Sequence, residues 1–221
     1  MNSKVYIAAG SLLLFGFITL VYFTWPKGLI NKKEISLTDD QRNSFEIQLK
    51  TAQDKLKQQD INLSDNEKAL LYFNMGRAQF GLGLYNESRK NYERIIKLQL
   101  DNPTVQYDYF NVLLAMQDYK KAEEAARKGV ESFPRHADLW KGYIALEKEY
   151  FGIDDTQLVS LYIEAMERSF HHPDIVVPFA HYLEEKGNII EALKYWGALA
   201  GQYPDNQLYK EQIKRLEALI K

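Results

Sequence analysis

Two pairs of adjacent carboxylates are the first features of the sequence that could do chemistry. Asp39-Asp40 and Asp154-Asp155 are of the type that acid–base catalysis uses. Both pairs stand where the sequence pattern predicts the start of a helix. Aspartate at that position satisfies free backbone amides and interacts favourably with the helix dipole. We therefore predict that these carboxylates cap helices.

The remaining reactive side chains form no recognisable catalytic or metal-binding pattern. His171, His172 and His181 are close in sequence, but a metal site needs further ligands that converge at helix or turn spacing. The chain has 0 cysteines, which excludes disulfides, thiolate ligands and thiol nucleophiles. A glycine-rich phosphate loop, a Ser-His-Asp set and an H-E-x-x-H motif are also missing from the sequence. The prediction is a non-enzyme with no cofactor and no metal.

Length and charge narrow the class of protein further. A chain of 221 residues accommodates one domain of ordinary size plus appendages. The net charge of -2 provides no basic field for a phosphate backbone, so nucleic acid is not an expected partner.

Residues 5–25 form an uncharged apolar stretch that predicts a transmembrane helix. Such a helix would be about 31 Å long, which matches the hydrocarbon thickness of a bilayer. Lys4 precedes the stretch, Lys27 follows it, and Trp25 is an aromatic anchor at its end. The bilayer is therefore an expected partner of residues 5–25, after a short tail at 1–4.

Two alternatives to a retained anchor remain, and the orientation stays open. A cleaved signal peptide would have a shorter apolar stretch that ends in small residues, and a buried helix of a soluble domain is the other option. More lysines follow the stretch than precede it, which favours a cytoplasmic C-terminal domain. A short basic N-terminus usually stays inside, which favours the opposite. We expect a single-pass protein of the cell membrane with the side of its main domain undetermined.

A linker at 26–36 leads into a predicted helix at 37–60. Thr38 and Gln41 have the spacing of a capping box, and so do Ser64 and Glu67 before the next helix. The leading helix has apolar residues on one face, so it must pack on a neighbour. These residues are Phe45, Leu49, Ala52 and Leu56.

From the second box onward, the sequence repeats. The segment Gly83-Leu84-Tyr85 resembles segments beginning at Gln117 and Gly187, each of which predicts a turn between two helices. Equivalent small or apolar residues follow one another at steps of 34, 36 and 34 residues. Prolines 103, 134, 173 and 204 fall between the units, where they end helices. An unrelated helical bundle with accidental spacing is the alternative.

These residues resemble the tetratricopeptide repeat (TPR), a unit of two antiparallel helices. The clearest copy has Tyr72, Met75, Gly76, Ser88 and Tyr92 at the family's W, L, G, A and F positions. In the second unit Phe110 stands at the glycine position, so we expect its two helices to be held further apart. The third unit replaces the turn by Gly152-Ile153-Asp154-Asp155, which is two residues longer. The resemblance covers 65–206, in units 65–102, 103–136, 137–172 and 173–206, before a capping helix at 207–221.

The resemblance implies a right-handed α-solenoid with a concave groove that binds a protein or peptide. Together with the transmembrane helix predicted from the apolar stretch, the expected fold is all-α, a transmembrane helix followed by this solenoid. The groove is lined by the first helix of each pair. Transferring the family's groove positions to this sequence gives Phe73, Arg77, Phe80, Tyr107, Asn111, Leu114, Lys141, His181 and Glu184.

Three functional readings remain. The first is a membrane-anchored scaffold that binds a partner through the groove. The second is a structural subunit of a membrane or envelope complex that uses the convex face and the solenoid ends, and an enzyme is the third. Tetratricopeptide repeats that clamp acidic C-terminal tails have lysines where this chain has Phe73 and Asp138. That mode of binding is therefore not expected. Phe73 and Phe80 could instead pack on Phe45 and Leu49 of the leading helix.

Overall fold

The computed structural model describes residues 37–59 and 63–220, and they form helices joined by turns. The predicted transmembrane helix at 5–25 and the linker at 26–36 lie outside the described residues. Within the described part, no helix is long and apolar enough to cross a membrane. The all-helical prediction is confirmed for the described part of the chain.

The described helices are numbered here in chain order. A short π-helical turn, Glu147–Phe151, follows α6. The helices are α1 (Asp39–Gln59), α2 (Asp65–Gly81), α3 (Tyr85–Lys97), α4 (Pro103–Ala115), α5 (Tyr119–Ser132), α6 (Ala137–Leu146), α7 (Asp155–Arg168), α8 (Pro173–Glu185), α9 (Ile189–Gln202) and α10 (Gln207–Glu217).

The helices pack as successive pairs. The pairs are α2 with α3, α4 with α5, α6 with α7 and α8 with α9, and each second helix except α7 is also in extensive contact with the first helix of the next pair. The first helices touch one another along the stack, from α2 to α4, α4 to α6 and α6 to α8. Contacts of this kind between near neighbours in sequence are typical of solenoids.

Three of the turns within pairs have the same backbone conformation. Gly83, Gln117 and Gly187 have left-handed φ angles of 77°, 60° and 77°. In each turn the amide of the next residue donates to a carbonyl five residues earlier, at 2.8, 3.0 and 2.8 Å. This is the Schellman motif, which ends a helix by bonding its last carbonyls. The alignment of these turns in the sequence is thereby confirmed.

The longer third turn is built differently. The two extra residues are accommodated by the π-helical turn Glu147–Phe151, after which Gly152 takes a left-handed φ of 62°. Asp154 then accepts from the amide of Gln157 at 2.8 Å, and the Gln157 side chain accepts from the amide of Asp154 at 3.0 Å. This reciprocal pair confirms that Asp154 caps a helix.

One continuous apolar cluster runs from α5 to α10. It includes Trp140 and Trp196, which are 1% and 0% exposed. The indole of Trp140 donates to the Pro134 carbonyl at 2.8 Å, so its one polar atom is satisfied. Tyr209 and Leu216 of α10 are buried in the same cluster, so α10 covers the apolar side of the last pair. Each pair thus depends on its neighbour for burial.

The bulk of Phe110 is accommodated between two units. Its side chain is 2% exposed and packs with Leu113, Ala122 and Ala126. A Cβ atom on Gly142 of α6 would lie 2.7 Å from the Phe110 ring. The structure shows that the Phe110 ring occupies the space left by a glycine in the following unit, and the expectation that Phe110 holds the helices of its own pair apart stays a prediction.

We predict that Gly142→Ala destabilises the fold by about 1 to 3 kcal/mol, because the new methyl group overlaps the Phe110 ring. Gly197 of α9 is the matched control, since a Cβ there meets nothing within 4 Å. Gly197→Ala should stabilise by about 1 kcal/mol through helix propensity alone. Denaturant unfolding of both variants measures the difference. Equal effects of the two substitutions would contradict the proposed contact. In a Phe110→Leu background, Gly142→Ala should lower the free energy of unfolding by less than it does in the wild type.

Candidate protein-binding face

The sequence-predicted groove residues all lie on first helices. We call the surface that they form the first-helix face. Its predicted members are Phe73, Arg77 and Phe80 on α2; Tyr107, Asn111 and Leu114 on α4; Lys141 on α6; and His181 and Glu184 on α8. Because the first helices contact one another, these residues belong to adjacent parts of one stack.

An aromatic and ionic cluster joins the first two units. The Arg77 guanidinium lies 5.3 Å from the centre of the Phe73 ring, and the Phe73 ring meets Tyr92 edge-on at 6.3 Å. Arg77 Nε is 3.9 Å from Asp108 Oδ2, and the Tyr92 hydroxyl donates to that oxygen at 3.2 Å. The cluster connects α2, α3 and α4 through one carboxylate.

Asp108 is the least solvated charge of this cluster. Its side chain is 11% exposed. Burial raises the pKa of its carboxyl from 3.8 to about 6, although Arg77 and the Tyr92 hydroxyl act in the opposite direction. A carboxyl group in this position becomes protonated in mildly acidic solution.

The structure corrects the assignment of Phe80. This side chain is only 8% exposed and lies 5.6 Å from the Tyr85 ring, so it belongs to the core of the first pair. The leading helix approaches at the adjacent position, where a Cβ on Gly81 would lie 2.5 Å from the Phe45 ring. Burial leaves little of the Phe80 side chain at the surface.

Tyr107, Asn111 and Leu114 of α4 are half-buried. Burial, with a smaller contribution from the Asp138 carboxylate, raises the pKa of Tyr107 to about 12, while a hydrogen bond with Asn111 opposes the shift. Tyr107 therefore keeps its proton at neutral pH. It provides an apolar ring with a polar tip, the type of side chain favoured at interfaces.

Lys141 is held between two carboxylates from successive units. Its Nζ lies 2.7 Å from Asp138 and 3.2 Å from Asp174 of α8. Burial alone would lower the pKa of Lys141, but the two carboxylates raise it above its ordinary value. This ammonium is therefore charged and engaged within the fold.

His181 and Glu184 belong to a second polar cluster, around Trp196. The Trp196 indole donates to Glu184 Oε1 at 2.8 Å, and Arg215 of α10 donates to Glu184 Oε2. His181 Nδ1 is 3.6 Å from the same carboxylate, and its ring meets Trp196 edge-on at 5.0 Å. Burial would raise the pKa of Glu184, but the donors from Arg215 and Trp196 lower it overall.

The face therefore has three ion pairs that cross from one unit to the next. They are Arg77–Asp108, Lys141–Asp174 and Arg215–Glu184. A partner carboxylate would have to compete with the chain's own carboxylates for these cations.

Sequence reasoning missed four members of this surface: Leu70, Asp108, Asp174 and Arg215. Leu70 is 60% exposed and precedes Phe73 and Arg77 by three and seven residues, which is one helical face. The charged residues could have been found as opposite charges separated by about one unit, because 33 residues separate Lys141 from Asp174.

The histidines and carboxylates do not assemble into a metal site among residues 37–59 and 63–220, since no group of three His, Cys, Asp or Glu side chains there could hold an ion. His172 Nδ1 instead accepts from the amide of Asp174 at 3.2 Å and caps α8. Its placement at a helix start agrees with a structural role.

Comparison with known proteins identifies one unit directly. Residues 69–102 match the model of the tetratricopeptide repeat family. These residues comprise most of α2, all of α3 and the turn that follows. The match falls on the unit where the sequence motif is clearest. Comparison with curated proteins gives no match.

Solved TPR structures resemble the chain at low identity. YrrB, described as a TPR protein with an unusual peptide-binding site, has a TM-score of 0.48, 18% identity, and coverage of 78% of this chain and 84% of its own. A TPR protein from Parabacteroides merdae has a TM-score of 0.47 and 14% identity, with coverage of 80% of this chain and 74% of its own. MamA from Desulfovibrio magneticus has a TM-score of 0.47 and 13% identity, with coverage of 77% of this chain and 99% of its own. At these TM-scores the three structures add no finer detail.

We predict that the buried Asp108 makes stability depend on pH. Between about pH 4 and pH 6 the folded protein holds a proton on Asp108 that the unfolded chain has lost, so the free energy of unfolding falls as the pH rises through this range. In the wild type, Asp108 should make the free energy of unfolding roughly 2 to 3 kcal/mol larger at pH 4 than at pH 7, and Asp108→Asn should remove this contribution. Urea unfolding at several pH values measures the free energy of unfolding of both proteins.

Asp118→Asn is the control of opposite sign. A hydrogen bond from Lys121 lowers the pKa of the partly exposed Asp118, so its contribution is present at neutral pH and is lost as the pH falls. An Asp108→Asn variant with the pH profile of the wild type would show that the carboxylate is solvated.

Proposed function

We propose that the chain is a membrane-tethered scaffold that binds an extended segment of a partner protein along the first-helix face. The observation behind this proposal is the composition of the face in its first two units. Leu70, Phe73 and Tyr107 are apolar or aromatic and remain wholly or partly exposed, while the neighbouring Arg77 is neutralised by Asp108. Such side chains bind by desolvation, and aromatic anchors dominate interface energies.

The charged units of the face have a different role in this proposal. Lys141 and Glu184 are engaged by neighbouring units, so they fix the spacing of the first helices. The partner then meets a rigid surface, and little ordering entropy is lost on binding.

A structural subunit of a membrane or envelope complex is the second candidate. Exposed aliphatic side chains on second helices favour it, because Ile163 of α7 is 40% exposed and Ile190 of α9 is 68% exposed. In that case the permanent contacts would be made by the second helices rather than the first.

A matched pair of substitutions separates these two candidates. Leu70→Asp places a charge on the first-helix face, and Ile190→Asp places one on a second helix, with each residue more than half exposed. A photo-crosslinker at Asn111 in the full chain, in its native membranes, reports contact with the partner. We predict that Leu70→Asp weakens binding by at least about 1 kcal/mol, a roughly fivefold loss of adduct, and that Ile190→Asp leaves it unchanged. The reverse pattern would favour the structural subunit.

We also propose that residues 5–25 anchor the scaffold in the cell membrane as a single span. The support is the uncharged length of this stretch and its lysine and tryptophan flanks. Leu13→Arg with Leu14→Arg should release the full chain from membranes into the carbonate-soluble fraction, because each arginine at mid-helix costs about 2.5 to 3.5 kcal/mol. Leu70→Arg adds one arginine at an exposed position of α2 and should leave the chain in the pellet. Release of all the variants and of the wild type would contradict the anchor.

The side of the membrane on which the repeats lie decides which proteins they can meet. Protease digestion of intact and permeabilised cells measures it. Protection until the inner membrane is permeabilised would place the repeats in the cytoplasm, and digestion without that step would place them outside.

A further inference from the structure

Five turns of the described chain end a helix with a residue in the left-handed conformation that bonds as in the Schellman motif. Glycine is the residue best suited to that position, because it has no Cβ atom to clash with the backbone. The five positions are Gly83, Gln99, Gln117, Phe170 and Gly187. Phe170, with a φ of 55°, is a bulky aromatic where two other turns have glycine.

The Phe170 side chain does not offset this strain by burial. A bulky residue at positive φ is strained, and burial could compensate for that strain. The Phe170 side chain is instead 64% exposed. The next residue, His171, is also exposed and also has a φ of 55°. Stability of the fold therefore gives no reason for an aromatic ring at this turn, and strained residues of this kind concentrate at functional sites.

A second side chain fixes the ring from the preceding loop. The Arg135 guanidinium lies 4.6 Å from the centre of the Phe170 ring. Arg77, Arg168 and Arg215 each lie within 4.0 Å of a carboxylate. Arg135 has no such ion pair with any residue in 37–59 or 63–220, so its charge is not neutralised within the described fold.

We propose that Phe170 and Arg135 form a second binding surface, separate from the first-helix face, which takes an acidic segment of a partner protein. An apolar side chain of that segment packs on Phe170, and a neighbouring Asp or Glu accepts hydrogen bonds from Arg135. Stacking on the ring holds the guanidinium in one plane, and a planar fork of donors fits a carboxylate with two parallel hydrogen bonds.

The surroundings favour one protein carboxylate over an anionic lipid surface. Glu131 and Glu167 are exposed in the helices that lead to Arg135 and Phe170. A flat sheet of phosphate groups would meet these carboxylates as well as Arg135, whereas a single carboxylate can be placed on Arg135 alone.

The experiment uses a benzophenone side chain at the exposed Ser132, in the full chain and its native membranes, with mass spectrometry to map the adduct. We expect an adduct on a protein segment that has Asp or Glu beside an apolar residue. Arg135→Gln and Phe170→Gly should each reduce the adduct by at least about fivefold, the loss that corresponds to one interface anchor. Phe170→Gly should unfold at the same temperature as the wild type or a higher one, because it removes strain.

Gln99→Gly is the matched control. Gln99 has a φ of 56° at the corresponding turn after α3, so the substitution relieves the same strain without removing an aromatic ring. It should leave the adduct unchanged, and so should Leu70→Asp on the first-helix face. The proposal is overturned by the absence of an adduct, by an adduct on lipid or on a basic segment, by an adduct that persists in both variants, or by a lower unfolding temperature of Phe170→Gly.

Discussion

Each pair of helices in this chain has an apolar side that its own two helices cannot cover, so burial requires the next pair. The rest of the structure depends on this constraint. It explains why Trp140, Trp196 and Leu216 belong to one cluster although they come from the third pair, the fourth pair and the final helix α10. It also explains why small residues and rings occur together between units, since a Cβ on Gly142 would lie 2.7 Å from the Phe110 ring of the preceding pair.

Polar contacts follow from the same stacking. Once the first helices lie side by side, charged residues on them meet charges one unit away, as Lys141 meets Asp174. Exposed pairs of this type contribute little to stability, and their main effect is to fix how one unit is placed on the next. The buried Asp108 differs from them, because its charge is desolvated and its protonation is coupled to folding.

The sequence was sufficient to predict the helical class, the turns at Gly83, Gln117 and Gly187, and the cap at Asp154, because each of these depends on local spacing and turn chemistry. The accessible part of the first-helix face was harder to predict. Phe80 has the correct helical spacing, but burial against Tyr85 is a tertiary effect that spacing does not show. Leu70 was missed although its spacing was visible, and Arg135 with Phe170 required the meeting of two distant loops.

The π-helical turn Glu147–Phe151 shows how a repeat array tolerates a change of length. Two additional residues in the third unit are wound into a wider turn at the end of α6, and α7 still begins at a capped residue. The preceding helix α6 keeps its contacts with the first helices of the neighbouring pairs, α4 and α8. Insertions during evolution can therefore persist at this corner without disturbing the phase of later units, and the corner is a natural place for new sequence to be grafted.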